Sequence, residues 1–226
     1  MIAKIKQIMN NNHTVMRIIS RIYNFVHYNN SWMYKRNNTI ITKGSFIKHT
    51  KFDVNGKNNI IHIGTKARLR NCKFTIIGNN CKIIIGNNHT IITDVHFWCQ
   101  DDNSTIIIGD DFTIEGGHIA STEGCSIIIG NDCMFSNDIE IRNGDSHSII
   151  KMDDNKRTNH AEDVYIGNHV WLTAHVRVLK GSIIPSNSII GNSSIVSHKF
   201  QKENSIYAGI PCKLIKTGID WDRNKL

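Results

Sequence analysis

The histidine at position 147 stands where the regular pattern of the chain is interrupted. Residues 142–163 are polar and charged, and they lack the evenly spaced aliphatic residues found on either side. His147 ends the sequence RNGDSH near the start of this segment. An imidazole takes up and returns a proton near neutral pH, which suits general acid–base chemistry. Long loops inside compact folds are usually functional or disordered. We therefore take His147 as the first catalytic candidate, against the alternative of a solvated loop histidine.

Other polar residues of the segment would support this histidine. Asp145 or a backbone carbonyl would hold the imidazole in one tautomer, and the sequence does not choose between them. Arg142 and Asn143 are candidates for binding acceptor hydroxyls or a carboxylate, or are structural. His160 is a second loop candidate. The weaker candidates are His118, His169, His175 and His198.

A six-residue repeat forms the elements that must position this segment. From Ile166 to Lys199 an aliphatic residue returns at every sixth position, namely Ile166, Leu172, Val178, Ile184, Ile190 and Val196. Two residues before each of the last five stand Val170, Val176, Ser182, Ser188 and Ser194. A period of six fits one flat side of a three-sided parallel coil, in which both positions point inward. Such coils bury their apolar sides only by stacking, so the sequence predicts a solenoid.

The repeat extends less regularly toward the N-terminus. Hexads are predicted to begin at Ile63, Leu69, Ile77, Ile85, Ile91, Ile108, Ile114, Ile129, Phe135 and Ile141, and they are often followed by Gly-Asn or Gly-Asp. Some separations are not multiples of six, so the turns there must carry extra residues. Cys81 and Cys133 fall on the small inward position, where a thiol acts as a small hydrophobe.

Length and charge suggest one domain with appendages. The 226 residues divide into a basic helical segment (1–38), a repeat domain (39–214) with the inserted loop 142–163, and a short tail (215–226). The formal charge is +8, and no Asp or Glu precedes Asp53. A basic front segment attracts nucleic acid, anionic lipid or a polyanionic substrate. No nucleic-acid-binding motif accompanies the charge, so we do not expect a nucleic-acid partner.

Apolar residues spaced three or four apart in residues 2–28 predict one or two amphipathic helices. We expect them to cover the open end of the solenoid. The alternative is a peripheral anchor at the inner membrane surface, aided by Trp32 and Tyr34. No signal peptide or apolar run of about 20 residues is present. The six cysteines show no Cys-x-x-Cys spacing, which favours reduced thiols in the cytoplasm.

The repeat resembles that of the hexapeptide-repeat acyltransferases. The segment AGIPCKLIK (208–216) is similar to the closing motif of their acetyl-CoA-dependent members. Residues 131–200 resemble the bacterial capsule-type sialic acid and polysialic acid O-acetyltransferases, through IRNGDSH, RTNHAEDVYIGNHVWL and VLKGSIIPSN. The resemblance implies an all-β, left-handed parallel β-helix that assembles as a homotrimer. It also implies acetyl transfer from acetyl-CoA to a sugar hydroxyl of a bacterial surface polysaccharide, such as a sialic acid capsule, without a metal.

The resemblance also implies residue roles. His147 occupies the position of the family's catalytic histidine, and Trp171 follows it at the spacing of a family tryptophan that lies near that histidine. Trp171 would stack on the acceptor or pantetheine, or donate its N–H to the oxyanion; packing within the trimer is the alternative. Coenzyme A would lie between two subunits along the late coils. The residues implied to contact it are Ala174, Asn192, Ser197, Lys213 and Lys216.

Two positions depart from the family pattern. Relatives often carry Ala or Gly in place of Asn192, and Lys or Arg in place of His198, so the local donor contacts are expected to differ.

Other functions compete with this one. The acceptor would instead be a small glycoside or an amino-sugar nucleotide, because the same base and groove serve both. A zinc site of the γ-carbonic anhydrase type would need His147 to converge with His169 or His175, and the closing motif argues against it. A structural or ice-binding solenoid would show regular ranks of threonine, and the sequence has none.

Overall fold

The computed structural model describes residues 13–27 and 37–226, which form one helix and a series of short strands. In chain order these are α1 (His13–His27), β1 (Thr39–Ile41), β2 (Phe46–Lys48), β3 (Lys51–Asn55), β4 (Ile60–Ile63), β5 (Arg68–Arg70), β6 (Lys73–Ile77), β7 (Lys82–Ile85), β8 (Ile91–Thr93), β9 (Val95–Gln100), β10 (Thr105–Ile108), β11 (Thr113–Ile114), β12 (Gly117–Ser121), β13 (Ser126–Ile129), β14 (Met134–Phe135), β15 (Ile139–Arg142), β16 (Val164–Ile166), β17 (Trp171–Leu172), β18 (Arg177–Val178), β19 (Ile183–Ile184), β20 (Ser188–Ile190), β21 (Ile195–Val196), β22 (Ser205–Ala208) and β23 (Lys213–Thr217).

The strands fall in turn onto three sheets. Sheet A contains β1, β4, β7, β10, β13, β16 and β19, and sheet C contains β3, β6, β9, β12, β15, β18 and β21. Sheet B contains β2, β5, β8, β11, β14, β17 and β20, followed by β22 and the antiparallel β23. Each strand up to β18 pairs in parallel with the strand three places further along the chain, which makes seven stacked coils. The predicted left-handed parallel β-helix is confirmed.

Burial confirms the inward positions of the late coils. All six aliphatic residues predicted from Ile166 to Val196 are at most 3% exposed, and the five small or β-branched positions between them are fully buried. Cys81 and Cys133 are fully buried as predicted. Parallel strands whose inner faces are covered favour such β-branched and aliphatic residues.

Two of the earlier hexad assignments are wrong. Ile77 and Ile91 are 46% and 43% exposed, while their neighbours Ile76 and Ile92 are fully buried. The reason is coil length. Two residues that pair on neighbouring coils mark the length of one coil. This length is greater in an early coil, which runs from Ile83 to its partner Ile106, than in a late coil, which runs from Ile166 to its partner Ile184. The additional residues at the corners shift the inward register by one position, and a shift of one reverses which side chains point inward.

The Gly-Asn and Gly-Asp pairs that follow strands of sheet A form one corner of the rod. A Cβ atom on Gly86 would lie 2.2 Å from the carbonyl oxygen of Gly109 in the next coil, so only glycine fits there. The following side chain accepts a hydrogen bond from the coil before it: Asp110 Oδ1 from Asn87 N at 2.7 Å, and Asn131 Oδ1 from Asp110 N at 2.8 Å. This ladder satisfies corner amides that no strand can pair.

Helix α1 covers the first edge of sheet B. The amide of Asn24 donates to the carbonyl oxygen of Ser45 at 3.0 Å and accepts from the N–H of Ile47 at 2.9 Å. It therefore takes the place of a neighbouring strand, and Ser20 Oγ accepts from the N–H of Gly44 at 3.2 Å. This agrees with a cover over the open end. The predicted contributions of residues 2–12, Trp32 and Tyr34 lie outside the described residues.

Candidate active site

The inserted loop leaves and re-enters the rod at adjacent points. Strand β15 ends at Arg142, and the N–H of Glu162 donates to the carbonyl oxygen of Asn143 at 2.9 Å, just before β16. Between these points the chain forms a hairpin in which Lys151 N bonds Lys156 O at 2.9 Å. A Cβ on Gly144 would lie 2.4 Å from Thr122 Cγ2, so this neck packs tightly on the coil below.

A cleft of about 540 Å³ lies between this loop and the ends of β9, β12 and β15. Trp98, Ala120 and Arg142 are successive Cα partners on the outer face of sheet C, and they form one side. Loop residues 144–148, including His147, together with Arg157 form the other. The cleft therefore combines a flat aromatic ring, two guanidinium groups and an exposed imidazole with the carboxyl groups of Asp101, Glu123 and Asp145.

A buried asparagine fixes the backbone that carries His147. Asn159 is only 7% exposed, and its Nδ2 donates to the carbonyl oxygen of His147 and to Asp145 Oδ2, both at 2.8 Å. Its Oδ1 accepts from the N–H of Ile149 at 2.6 Å. Within the described ranges no hydrogen bond involves the ring of His147, which lines the cleft.

Asp145 is held by a lysine from the next coil. Lys180 Nζ donates to Asp145 Oδ2 at 2.6 Å, and this bond, followed by that from Asn159, keeps the pKa of Asp145 below its usual value. The carboxylate thus anchors the loop through Lys180, a residue that no motif in the sequence marks. No bond joins Asp145 to the His147 ring within the described part of the chain.

Arg142 and Asn143 differ in what they can reach. Arg142 is half-buried on the outer face, lines the cleft and lies 3.7 Å from Glu140. Asn143 is fully buried: its Oδ1 accepts from Thr122 N, and its Nδ2 donates to Ser121 Oγ, both at 2.9 Å. This geometry favours the structural alternative for Asn143.

A second anchor ties the loop to the rod. Arg157 forms an ion pair with Glu123, whose pKa is held below its usual value chiefly by that hydrogen bond. Glu123 Oε2 also accepts from the N–H of Ala161 at 3.3 Å. The other loop histidine, His160, is exposed and does not line the cleft.

Two histidines pack beside the cleft tryptophan. The ring centroids of His96 and His118 lie 5.4 and 5.9 Å from that of Trp98. Burial, then the neighbouring His118 and Lys73, lowers the pKa of His96 to about 4, and burial also lowers the pKa of His118. Both rings are therefore neutral at physiological pH. His118 Nε2 and Trp98 Nε1 are buried without a hydrogen-bond partner in the described part of the chain.

Trp171 lies on sheet B and packs toward the C-terminal tail, not toward the cleft of its own chain. Its ring centroid is 6.1 Å from that of Trp221, which stacks on His169 at 4.0 Å. Trp221 Nε1 donates to the carbonyl oxygen of His169 at 2.9 Å, and Arg223 Nε donates to Asp132 Oδ1 at 3.1 Å. Trp171 points outward as predicted, and its catalytic role stays a prediction that requires a second copy of the chain.

The residues predicted to contact the donor lie on the late coils. Ala174 and Asn192 occupy one corner, where Ser193 N donates to Ala174 O at 3.0 Å. Lys213 and Lys216 are exposed on β23, and Ser197 is exposed at the next corner, beyond β21. Their role in donor binding stays a prediction.

Two features are absent from residues 13–27 and 37–226, the ranges that the structure describes. Neither range contains three or more His, Cys, Asp or Glu side chains arranged to hold a metal ion. Neither contains a helix of the length and apolarity required to cross a bilayer.

No model of a known protein family matches the sequence, but individual proteins resemble it in sequence and in fold. The chain is 35% identical to a polysialic acid O-acetyltransferase of Neisseria meningitidis over 189 residues, which are 74% of this chain and 87% of that protein. The crystal structure of the polysialic acid O-acetyltransferase OatWY matches with a TM-score of 0.77 and 35% identity, over 84% of this chain and 90% of that one. The polysialic acid-specific acetyltransferase NeuO matches with a TM-score of 0.53 and 27% identity, over 83% of each chain. With its solenoid and His147 loop, the chain belongs to the hexapeptide-repeat O-acetyltransferases, on the branch of the polysialic acid O-acetyltransferases.

Proposed function

We propose that the protein transfers the acetyl group of acetyl-CoA to a hydroxyl of a sialic acid-containing bacterial surface polysaccharide. The observation that carries this is the cleft, in which the exposed His147 faces Trp98 and Arg142. A tryptophan ring stacks on the apolar face of a sugar, and a guanidinium pairs with a carboxylate. Relatives named for polysialic acid support the choice of an anionic acceptor.

His147 acts as general base and then as general acid. Its neutral imidazole removes the proton from the acceptor hydroxyl, and the oxygen attacks the thioester carbonyl carbon. The resulting oxyanion collapses, the carbon–sulfur bond breaks, and the imidazolium returns the proton to the departing thiolate. Asn159 and Asp145 hold the loop, so that the imidazole lies at the cleft before substrate arrives.

Transfer is direct, without an acetyl-enzyme. All six cysteines are free, and five are buried. Burial raises the pKa of Cys72 to about 11 and that of Cys133 to about 12, and Cys125, which is only half-buried, also has a raised pKa. A thiol is nucleophilic as its thiolate, so none of these groups is an activated nucleophile at neutral pH.

The working enzyme is a homotrimer with the donor between two subunits. In this arrangement Trp171 of one copy approaches the His147 cleft of the next, and Lys213 and Lys216 face the phosphates of coenzyme A. Their exposure and the absence of ion pairs to them within the described chain suit such a role. The protein acts in the cytoplasm, with peripheral contact of its basic N-terminus at the membrane.

Acetyl transfer to defined acceptors tests the proposal. Purified protein is given acetyl-CoA with polysialic acid, a small galactoside or an amino-sugar nucleotide, and release of coenzyme A is followed. We expect turnover with the polymer and little with the others. His147→Ala should lose about 10²–10⁴-fold in kcat, the usual contribution of a general base, while His160→Ala, an exposed loop histidine, stays near the parent. Equal turnover by the two variants rejects His147, and preference for a small acceptor rejects the polymer.

A further inference from the structure

A second groove, separate from the catalytic cleft, lies between helix α1 and strands β2, β5 and β8. It has a volume of about 580 Å³, and its lining includes Lys48, Lys66, Arg68 and Arg70. The lining of the groove, on sheet B, shares no residue with that of the cleft, which lies at the ends of sheet C strands. We refer to it as the basic groove.

The cations of the basic groove lack partners among residues 13–27 and 37–226. None of the four forms an ion pair or a side-chain hydrogen bond with any described residue. The segments outside the described ranges cannot neutralise them, because residues 1–52 contain no Asp or Glu. Among the described residues, one acidic side chain comes within ion-pair distance of the groove lining: Asp111 Oδ1 lies 3.4 Å from Nδ1 of His89.

The strand register places these charges side by side. Lys48 is the Cα partner of Arg70, and neighbouring strands are about 4.8 Å apart. Arg68 and Arg70 are two residues apart on one strand and both are exposed, so they project from the same face. Like charges directly opposite each other destabilise a sheet. A bound polyanion would remove that repulsion.

Aromatic rings and spacing favour a sugar polymer. Tyr23 and Phe46 line the same groove and meet edge to face, with centroids 5.6 Å apart. Such rings pack against sugar faces, while the row of cations suits a chain that carries a negative charge on every unit.

We infer that the basic groove is a second binding site for the anionic polysaccharide, which holds the polymer outside the catalytic cleft. The inference rests on the proposed function for its choice of ligand. A polymer bound at two sites gains effective concentration at the cleft, so the groove lowers KM for long chains only.

A charge-reversal pair tests the groove. The variant is R68E/R70E, and the matched control is K57E/K82E, which makes the same charge change at two exposed lysines outside the groove. Binding of polysialic acid and of a sialic acid trisaccharide is measured in proteins that also carry His147→Ala. The salt concentration is about 0.15 M, because charges more than about 8 Å apart are then screened and only local contacts contribute. Kinetics are measured in the active protein, and matched melting temperatures establish folding.

We expect R68E/R70E to lose about tenfold or more in affinity for the polymer and to raise the KM for the polymer by a similar factor. Its kcat and its KM for the sialic acid trisaccharide should stay unchanged. The control K57E/K82E should stay near the parent in every measurement. Polymer affinity or KM equal in the two variants overturns the inference. Tighter binding of an RNA oligonucleotide than of polysialic acid overturns it in favour of a nucleic-acid site. Groove-dependent polymer binding without acetylation of any sialic acid acceptor would refute the proposed function alone.

Discussion

Replacement of Asn159 by alanine tests whether the loop is prearranged for catalysis. The Asn159 side chain makes three short hydrogen bonds, to His147 O, Asp145 Oδ2 and Ile149 N, between 2.6 and 2.8 Å. A fourth, from Arg157 Nε, is longer at 3.3 Å. Alanine removes all four bonds and leaves the backbone carbonyl of His147 without the hydrogen bond that Asn159 donates.

The expected effect follows from these contacts. A net value of about 1 kcal/mol for each short bond gives about 3 kcal/mol of loop stabilisation. Since about 1.4 kcal/mol corresponds to a factor of ten in rate, kcat/KM should fall between about tenfold and 100-fold. The loop lies outside the coil interior, so the melting temperature should change little.

Steady-state kinetics with acetyl-CoA and polymer, measured across pH, provide the assay. A positioning residue lowers kcat/KM without moving the pH at which activity rises, because the base is unchanged. Thr158→Ala is the control, since its exposed hydroxyl makes a single bond to Ile149 O at 3.1 Å in the same hairpin. Near-parental kinetics for folded Asn159→Ala, or equal losses in the two variants, would refute the reasoning.

Two further predictions concern the rod and its tail. Phe74 is fully buried in a stack between two other phenylalanines, whose ring centroids lie 4.9 and 4.8 Å away. Phe74→Ala should therefore lower the free energy of unfolding, measured by denaturant titration, by about 3–5 kcal/mol. A loss below about 1 kcal/mol contradicts this packing. Partial burial lowers the pKa of His169, but hydrogen bonds to Asp132 and the Trp221 carbonyl outweigh it and raise the pKa above its usual value. Protonated His169 therefore stabilises the docked tail, and this stabilisation is fully present at a pH below 6.5, the pKa of a free histidine. The stabilisation is lost as the pH rises through the raised pKa of the folded state. Protease sensitivity of the tail should therefore increase as the pH is raised above 6.5, and Asp132→Asn should flatten this dependence. A flat profile in the parent contradicts the prediction.

The interior of the rod was predictable because its period is local. Where each coil consists of three hexads, a small residue followed two places later by an aliphatic one marks the inward face, and the six aliphatic positions from Ile166 to Val196 are all buried. In the longer early coils the corners contribute a variable number of residues. Ile77 and Ile91 were therefore assigned to the wrong face, and no feature of their own hexads indicates it.

The site was predictable only in part. The break in the repeat locates His147, and the structure places it at a cleft. Its supports were not predictable: Lys180 reaches Asp145 from a corner far along the chain, and such a contact leaves no periodic trace. Trp98 lies two coils before Arg142 on sheet C and was hidden within an ordinary strand.

The C-terminal tail was expected to be a short appendage, yet it packs on the rod. Trp221 is only 8% exposed, and Arg223 Nη1 bonds Thr113 Oγ1 at 2.9 Å, two coils from His169. A lone tryptophan and arginine in a polar tail were the available signal, because a tryptophan exposed to solvent is costly without a partner.

One side of the cleft belongs to the rod, and the other belongs to a loop that joins the rod through a narrow neck. The chain departs at Asn143 and returns at Glu162 across one backbone hydrogen bond, and the pairing of β13 with β16 uses no residue between these two points. Changes of length at the tip of the hairpin, residues 151–156, should be tolerated by the scaffold, because longer surface loops add little closure entropy. Such changes keep His147, its support Asn159 and the rod side of the cleft in place.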